Sequence, residues 1–231
     1  VKLYFKLKSP VQTLDSVEHP NLVCVRKWPS KAARQWSEEF VRTAPKQLNI
    51  DAIIAVGSAI RDVSESADID FIVIYRNNKP KLYKPPIDVD IRVYERTLVP
   101  KLLSKGHEFL GWAVKMGCVV YERNQYWTKL RSRWLNRVHF PSLEEAKARA
   151  ARAEKLYQEF SALGDQDAAD EQFITMLTHL ARARLIESGT FPASRPELEK
   201  QLLSIGEPEL AQKLAKALTR RGKDTENQIA R

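Results

Sequence analysis

Cysteine is nearly absent from this 231-residue chain, with Cys24 and Cys118 the whole complement. Two cysteines outside a tight motif are too few for a disulfide scaffold or a zinc site, so the expected setting is reducing and cytoplasmic. Long apolar runs are missing as well. None approaches the ~18 residues that a membrane span needs, and no apolar leader opens the chain, so no membrane association is expected. His107, His139 and His179 lack the spacing of metal ligands and read as packing or surface residues. Acidic residues are outnumbered. Against 38 Lys and Arg stand 29 Asp and Glu, and the formal net charge of +9 favours anionic partners such as nucleotides, RNA or acidic polymers. Basic residues recur at helical spacing (Lys27, Lys31, Arg34; Lys129, Arg133, Arg137), a pattern that a solvated helix face explains without RNA.

What is present is an ordinary globular composition, 43% hydrophobic and 29% charged, in a chain long enough for one or two domains. Leu3, Phe5 and Leu7 alternate with polar residues as in an edge strand, and Ser30 can cap a helix from Lys31 to about Ala44, with Pro45 at its end. Ala52-Ile-Ile-Ala-Val56 predicts a buried strand that runs straight into Gly57-Ser58. Two further apolar runs carry carboxylates: Asp68-Ile-Asp-Phe-Ile-Val-Ile-Tyr75 and Ile87-Asp-Val-Asp-Ile-Arg-Val-Tyr94. Side chains alternate faces along a strand, so Asp68 and Asp70 share a face, and a neighbouring strand can set Asp90 beside them. Three anions crowded on one face repel, and hard divalent cations with oxygen ligands neutralise such a cluster best.

The pattern Gly57-Ser58, then Asp68-x-Asp70, then Asp90 on a later strand resembles the polymerase-β-type nucleotidyltransferase superfamily over roughly residues 50–122. The resemblance implies a Gly57-Ser58 turn that cradles a triphosphate and an Asp68/Asp70 pair that bridges two Mg2+ ions. Asp90 would complete the metal site that activates an acceptor hydroxyl. Asp88 shares the face of Asp90 and is the alternative third ligand; the Asp90-Ile-Arg-Val segment, which resembles the family's surroundings of that carboxylate, favours Asp90. Arg61 and Arg92 are the candidate phosphate contacts, each also explicable as a surface or ion-paired arginine. Lys115 and Tyr121 are weaker candidates by the same analogy. Asp170 and Glu171 are candidates for an additional base, or an acidic pair at a helix start.

Thr97 opens a further helical pattern, interrupted by Gly106 and Gly111, and Cys118-Val-Val-Tyr121 reads as a short strand. Strand signals stop near Tyr126. Helical periodicity then runs through 142–163, 167–188, 195–204 and 208–219, resembling the substrate-binding or HEPN-like helical domains that accompany small nucleotidyltransferases. The expected fold is α+β: a mixed-sheet catalytic domain over 1–123, a helical substrate-binding domain over 124–221, and a polar tail over 222–231. Residues 123–141, with Tyr126, Trp127, Leu130, Trp134 and Leu135, form a packed hinge in this reading. The implied activity is Mg2+-dependent transfer of an NMP from an NTP, with ATP the expected donor, to an acceptor hydroxyl on a small molecule, RNA or protein, releasing pyrophosphate. The alternative is a non-catalytic nucleotide- or RNA-binding module that keeps the fold.

Overall fold

A computed structural model describes residues 22–61 and 68–229, with side chains up to residue 220. The edge strand expected around Leu3, Phe5 and Leu7 lies outside the described residues. The protein is α+β, a four-stranded mixed sheet followed by helices. Its strands are β1 (Ile50–Val56), β2 (Ile69–Tyr75), β3 (Val89–Glu95) and β4 (Cys118–Glu122), in the spatial order β3-β2-β1-β4. β2 and β4 flank β1 antiparallel, while β3 runs parallel to β2.

Every residue of β1 is buried, as expected of a central strand covered on both faces. Helix α1 (Lys31–Thr43) lies on one face, capped by Ser30, whose Oγ accepts from the Ala33 N–H at 3.0 Å. Phe40 and Val41 of α1 pack there against Ile53, Ala55, Phe71 and Val73. On the other face α2 (Val99–Ser104), α3 (Glu108–Met116) and α4 (Tyr126–Trp134) cover Ala52, Ile54, Ile72 and Ile74. The single helical pattern expected from Thr97 is two helices because the chain turns at Gly106, where φ is +73°. Trp127 and Leu130 of α4 are core residues of this layer, so the expected hinge packs with the sheet.

Helices α5 (Leu143–Leu163), α6 (Gln166–Glu187), α7 (Leu198–Ser204) and α8 (Pro208–Ile229) follow. Ser142 and Asp165 cap α5 and α6. Ala146, Ala150 and Ala153 are buried along one stripe of α5, while α6, α7 and α8 share a separate core built on Leu177, Leu185, Leu198, Leu202 and Leu214. Helix α8 continues to Ile229, through most of the stretch expected to be a polar tail. The two layers are tied by the Trp112 indole N–H, which donates to the Pro192 carbonyl at 2.8 Å, and by Arg182, whose Nη1 stands 3.1 Å from Glu108.

One expectation loses its support. Cys24 and Cys118 form a disulfide across 94 residues of sequence, with their Cα atoms 6.4 Å apart. Distance along the chain hid the pairing: β4 returns to the sheet beside β1, where Cys118 stands opposite Ala55, and the segment before α1 packs on the same side. The cysteine count therefore no longer argues for a reducing compartment. Among the described residues no helix is long and apolar enough to cross a membrane.

Candidate active site at the carboxylate edge of the sheet

The Gly-Ser turn and the carboxylates converge at one edge of the sheet because β1 ends where β2 and β3 begin. Antiparallel register places Val56 opposite Asp70, and parallel register places Asp70 opposite Asp90. One row across the sheet thus reads Val56, Asp70, Asp90; two residues inward, the next row on the same face reads Ile54, Ile72, Arg92. Asp68 lies just before β2 and is exposed, whereas Asp88 stands one residue before β3, its carbonyl accepting from the Ile69 N–H at 3.0 Å. Level with Asp70 there is therefore Asp90, and Asp88 lies two residues further out.

Gly57 closes the site from the β1 side. Its φ of +87° and ψ of −163° belong to a region open essentially to glycine alone, and a Cβ there would lie 2.6 Å from Asp70 Oδ2. Ser58 begins a single 3-10 turn, Ser58–Ile60. That turn is held from behind by the strap entering α1, since the N–H groups of Arg26 and Lys27 both donate to the Ala59 carbonyl, at 2.9 and 3.3 Å. The disulfide pins the same strap through Cys24.

Asp70 titrates at about 7, well above an ordinary aspartate. Burial is the largest cause; the negative charges of Asp68 and Asp90 add to it and the Arg92 guanidinium opposes it. Arg92 bonds Asp90 through Nη2 at 3.1 Å, and its guanidinium lies over the Phe109 ring, 3.6 Å from the centroid. Arg61 is engaged elsewhere, in a short ion pair with Glu197, so it joins the Gly-Ser turn to the turn before α7.

Hard carboxylate oxygens, burial and mutual repulsion that together raise the Asp70 pKa, and the space left by the missing Cβ of Gly57 suit a divalent cation. The side chains as they stand are not gathered round one point: among the described residues no three His, Cys, Asp or Glu are grouped as a metal centre requires. The Asp90 carboxylate is turned to Arg92 instead. Asp68, Asp70 and Asp90 are the residues that would hold the ion.

Of the weaker candidates, the Lys115 ammonium sits over the Phe191 ring, and Tyr121 packs in the α1-side core. Asp170 accepts from Gln166, and Glu171 lies 3.8 Å from Arg195. Sequence reasoning missed a second group. His107 and His179, which read from sequence as packing or surface residues, line a cavity of about 560 Å3 together with Arg92, Lys105, Arg149 and Arg182. No spacing in the chain could have joined residues from β3, the turn between α2 and α3, α5 and α6.

No protein-family model matches the chain, and no curated protein sequence does so. Among solved structures it is similar to a nucleotidyltransferase-like protein from Exiguobacterium sibiricum, at 21% identity over 81% of this chain and 71% of that one, with a TM-score of 0.33. Any chemistry has to come from the residues themselves.

Proposed function

We propose that this protein is a Mg2+-dependent nucleotidyltransferase that moves an NMP from an NTP, ATP being the expected donor, to an acceptor hydroxyl. The observation that carries the reading is the half-buried Asp70 standing opposite Asp90, with Asp68 close enough to raise its pKa and Gly57 against its carboxylate. Bound divalent cations would supply charge neutralisation for the triphosphate and for the entering hydroxyl. Asp70 and Asp68 hold the phosphate side of the site and Asp90 the acceptor side. The turn at Gly57-Ser58 brings backbone N–H groups and a hydroxyl to the phosphates without a side chain in the way. Arg92, over Phe109, offers a fixed guanidinium to phosphate oxygens once Asp90 turns to its ligand role. In the transfer a bond forms between the acceptor oxygen and the α-phosphorus, and the bridging bond to the β-phosphate breaks. Pyrophosphate leaves with that electron pair, and the hydroxyl proton passes to solvent.

One observation favours the alternative, a nucleotide-binding module without turnover: the Arg92–Asp90 ion pair occupies the third carboxylate. Mass spectrometry of products after incubation with each NTP, Mg2+ and hydroxylated acceptors decides between them. A mass gain of one NMP on an acceptor, lost in the Asp70→Asn variant, is the expected result. Nucleotide binding without any such product would leave the module.

A further inference from the structure

The cavity of about 560 Å3 lies between α2 and α3 on the sheet side and α5 and α6 beyond, and its size is that of a site for one small molecule. Its charge is uneven. Four permanent cations line it, Arg92, Lys105, Arg149 and Arg182, against two carboxylates, Glu108 and Glu145. Glu108 is shared, 3.1 Å from Arg182 and 3.4 Å from Arg149, and Glu145 also serves Arg149. Arg92 and Arg182 each keep a buried Nε with no hydrogen-bond partner. His179, in the same wall, is held down to about 4, first by burial and then by Arg182, Arg149 and Arg195, with Glu145 opposing. Burial is the larger part of that shift, and the three arginines add to it in the direction expected beside an excess of cations.

The cavity also touches the carboxylate edge, because Arg92 lines it and bonds Asp90. We propose that this cavity binds the phosphate group of a small phosphorylated molecule, which is the acceptor that presents its hydroxyl at Asp90. Several guanidiniums and a lysine around one space suit the three oxygens of a phosphate, and a polycationic acceptor would meet like charge there. The word acceptor rests on the nucleotidyltransferase reading; the phosphate site itself does not.

Histidine-ring NMR tests it with inorganic phosphate as the probe, the His179 signal being assigned with the His179→Gln variant. Phosphate should shift the His107 and His179 signals saturably, with half-saturation below about 20 mM, and a Lys105→Gln/Arg149→Gln variant should need about fivefold more. Lys105→Gln alone, which removes no ion pair recorded at the site, should show part of that loss if the double variant proves unstable. The proposal is overturned if no saturable shift occurs, if the variants bind phosphate unchanged, or if an amine-rich sugar moves the same signals at lower concentration than phosphate. A single-stranded oligonucleotide doing so would instead assign the cavity to RNA. Thermal shift with Mg2+ and NTP on the same samples separates the two readings. Lost nucleotide response with retained phosphate binding removes the transferase and leaves the phosphate site; the reverse removes only the site.

Discussion

Gly57 and Asp70 are in such close approach that the glycine's missing side chain is part of the carboxylate's surroundings: a Cβ at 57 would stand 2.6 Å from Asp70 Oδ2. Gly57 directly follows β1 and Asp70 lies in the adjacent antiparallel β2, at the point where β1 leaves the sheet and β2 enters it. The turn proposed to hold phosphate and the acid proposed to hold metal are therefore one packing problem.

Gly57→Ala should accordingly lose about 1–3 kcal/mol to backbone strain and also displace the Asp70 carboxylate, abolishing the thermal shift given by Mg2+ and NTP. Gly164 has a similar φ of +76° but nothing within 4 Å of the space a Cβ would take. Gly164→Ala should show a loss of about 1 kcal/mol and keep the nucleotide response. Denaturant titration and thermal shift of both variants make the comparison; an intact response in Gly57→Ala would detach the turn from the site.

Asp70 and Asp51 should respond oppositely to amidation. The folded pKa of Asp70, about 7, lies above the ordinary aspartate value of 3.8, so the native state holds the proton more tightly. Stability then falls as pH rises from about 4 to about 7, and beyond that the loss is complete. Asp70→Asn removes the loss, so the variant should match wild type near pH 4 and exceed it by on the order of 2 kcal/mol at pH 8. Stabilisation of the wild type by Mg2+ should grow over the same rise in pH and be absent in the variant. Asp51 is fully buried and paired with Arg76 and Arg96. Asp51→Asn should lower stability by about 3–5 kcal/mol at neutral pH, since two guanidiniums lose their anion. Equal effects of the two substitutions in urea titrations at pH 8 would contradict this assignment.

Asp90→Asn should reduce turnover by orders of magnitude with little change in NTP affinity, because in the proposed mechanism the phosphate side of the site is held mainly by Asp68 and Asp70. Asp88→Asn, two residues off the Asp70 row, should be mild. Turnover and nucleotide affinity measured side by side check the pair, and a severe Asp88 defect beside a mild Asp90 defect would move the acceptor side outward by one row.

Reduction of the Cys24–Cys118 disulfide should lower stability by about 2–4 kcal/mol, as expected for a bond closing a long loop. It should also weaken NTP binding, because the strap that Cys24 anchors holds the Ala59 carbonyl behind the Gly-Ser turn. Denaturation with and without dithiothreitol, repeated on Cys118→Ser, provides the check; the variant should ignore the reductant. Two reactive thiols in unreduced, unfolded protein would rule the bond out.

The strands and helices were legible because their signals are local. Ser30 announced α1, Ser142 announced α5, and the apolar runs around Asp70 and Asp90 marked β2 and β3. What was not legible depends on which elements meet. Asp88 and Asp90 are equivalent by alternation, and only the β2/β3 register distinguishes them. Arg61 looked available to phosphate until α7's preceding turn brought Glu197 to it. Cys24 and Cys118, and likewise His107 and His179, were separated by whole elements that fold back on one another. Charge counting found the excess of cations without finding where the helices concentrate it.

The disulfide has a topological result. Between Cys24 and Cys118 lie α1, three of the four strands, α2, α3, the Gly-Ser turn and all the acids of the site, so these form a covalently closed ring from which α4 through α8 extend as a linear branch. A protease cutting once anywhere inside the ring opens it without releasing a fragment, whereas one cut after α4 sheds the helices outright. On a gel run without reductant the first event is invisible and the second is not.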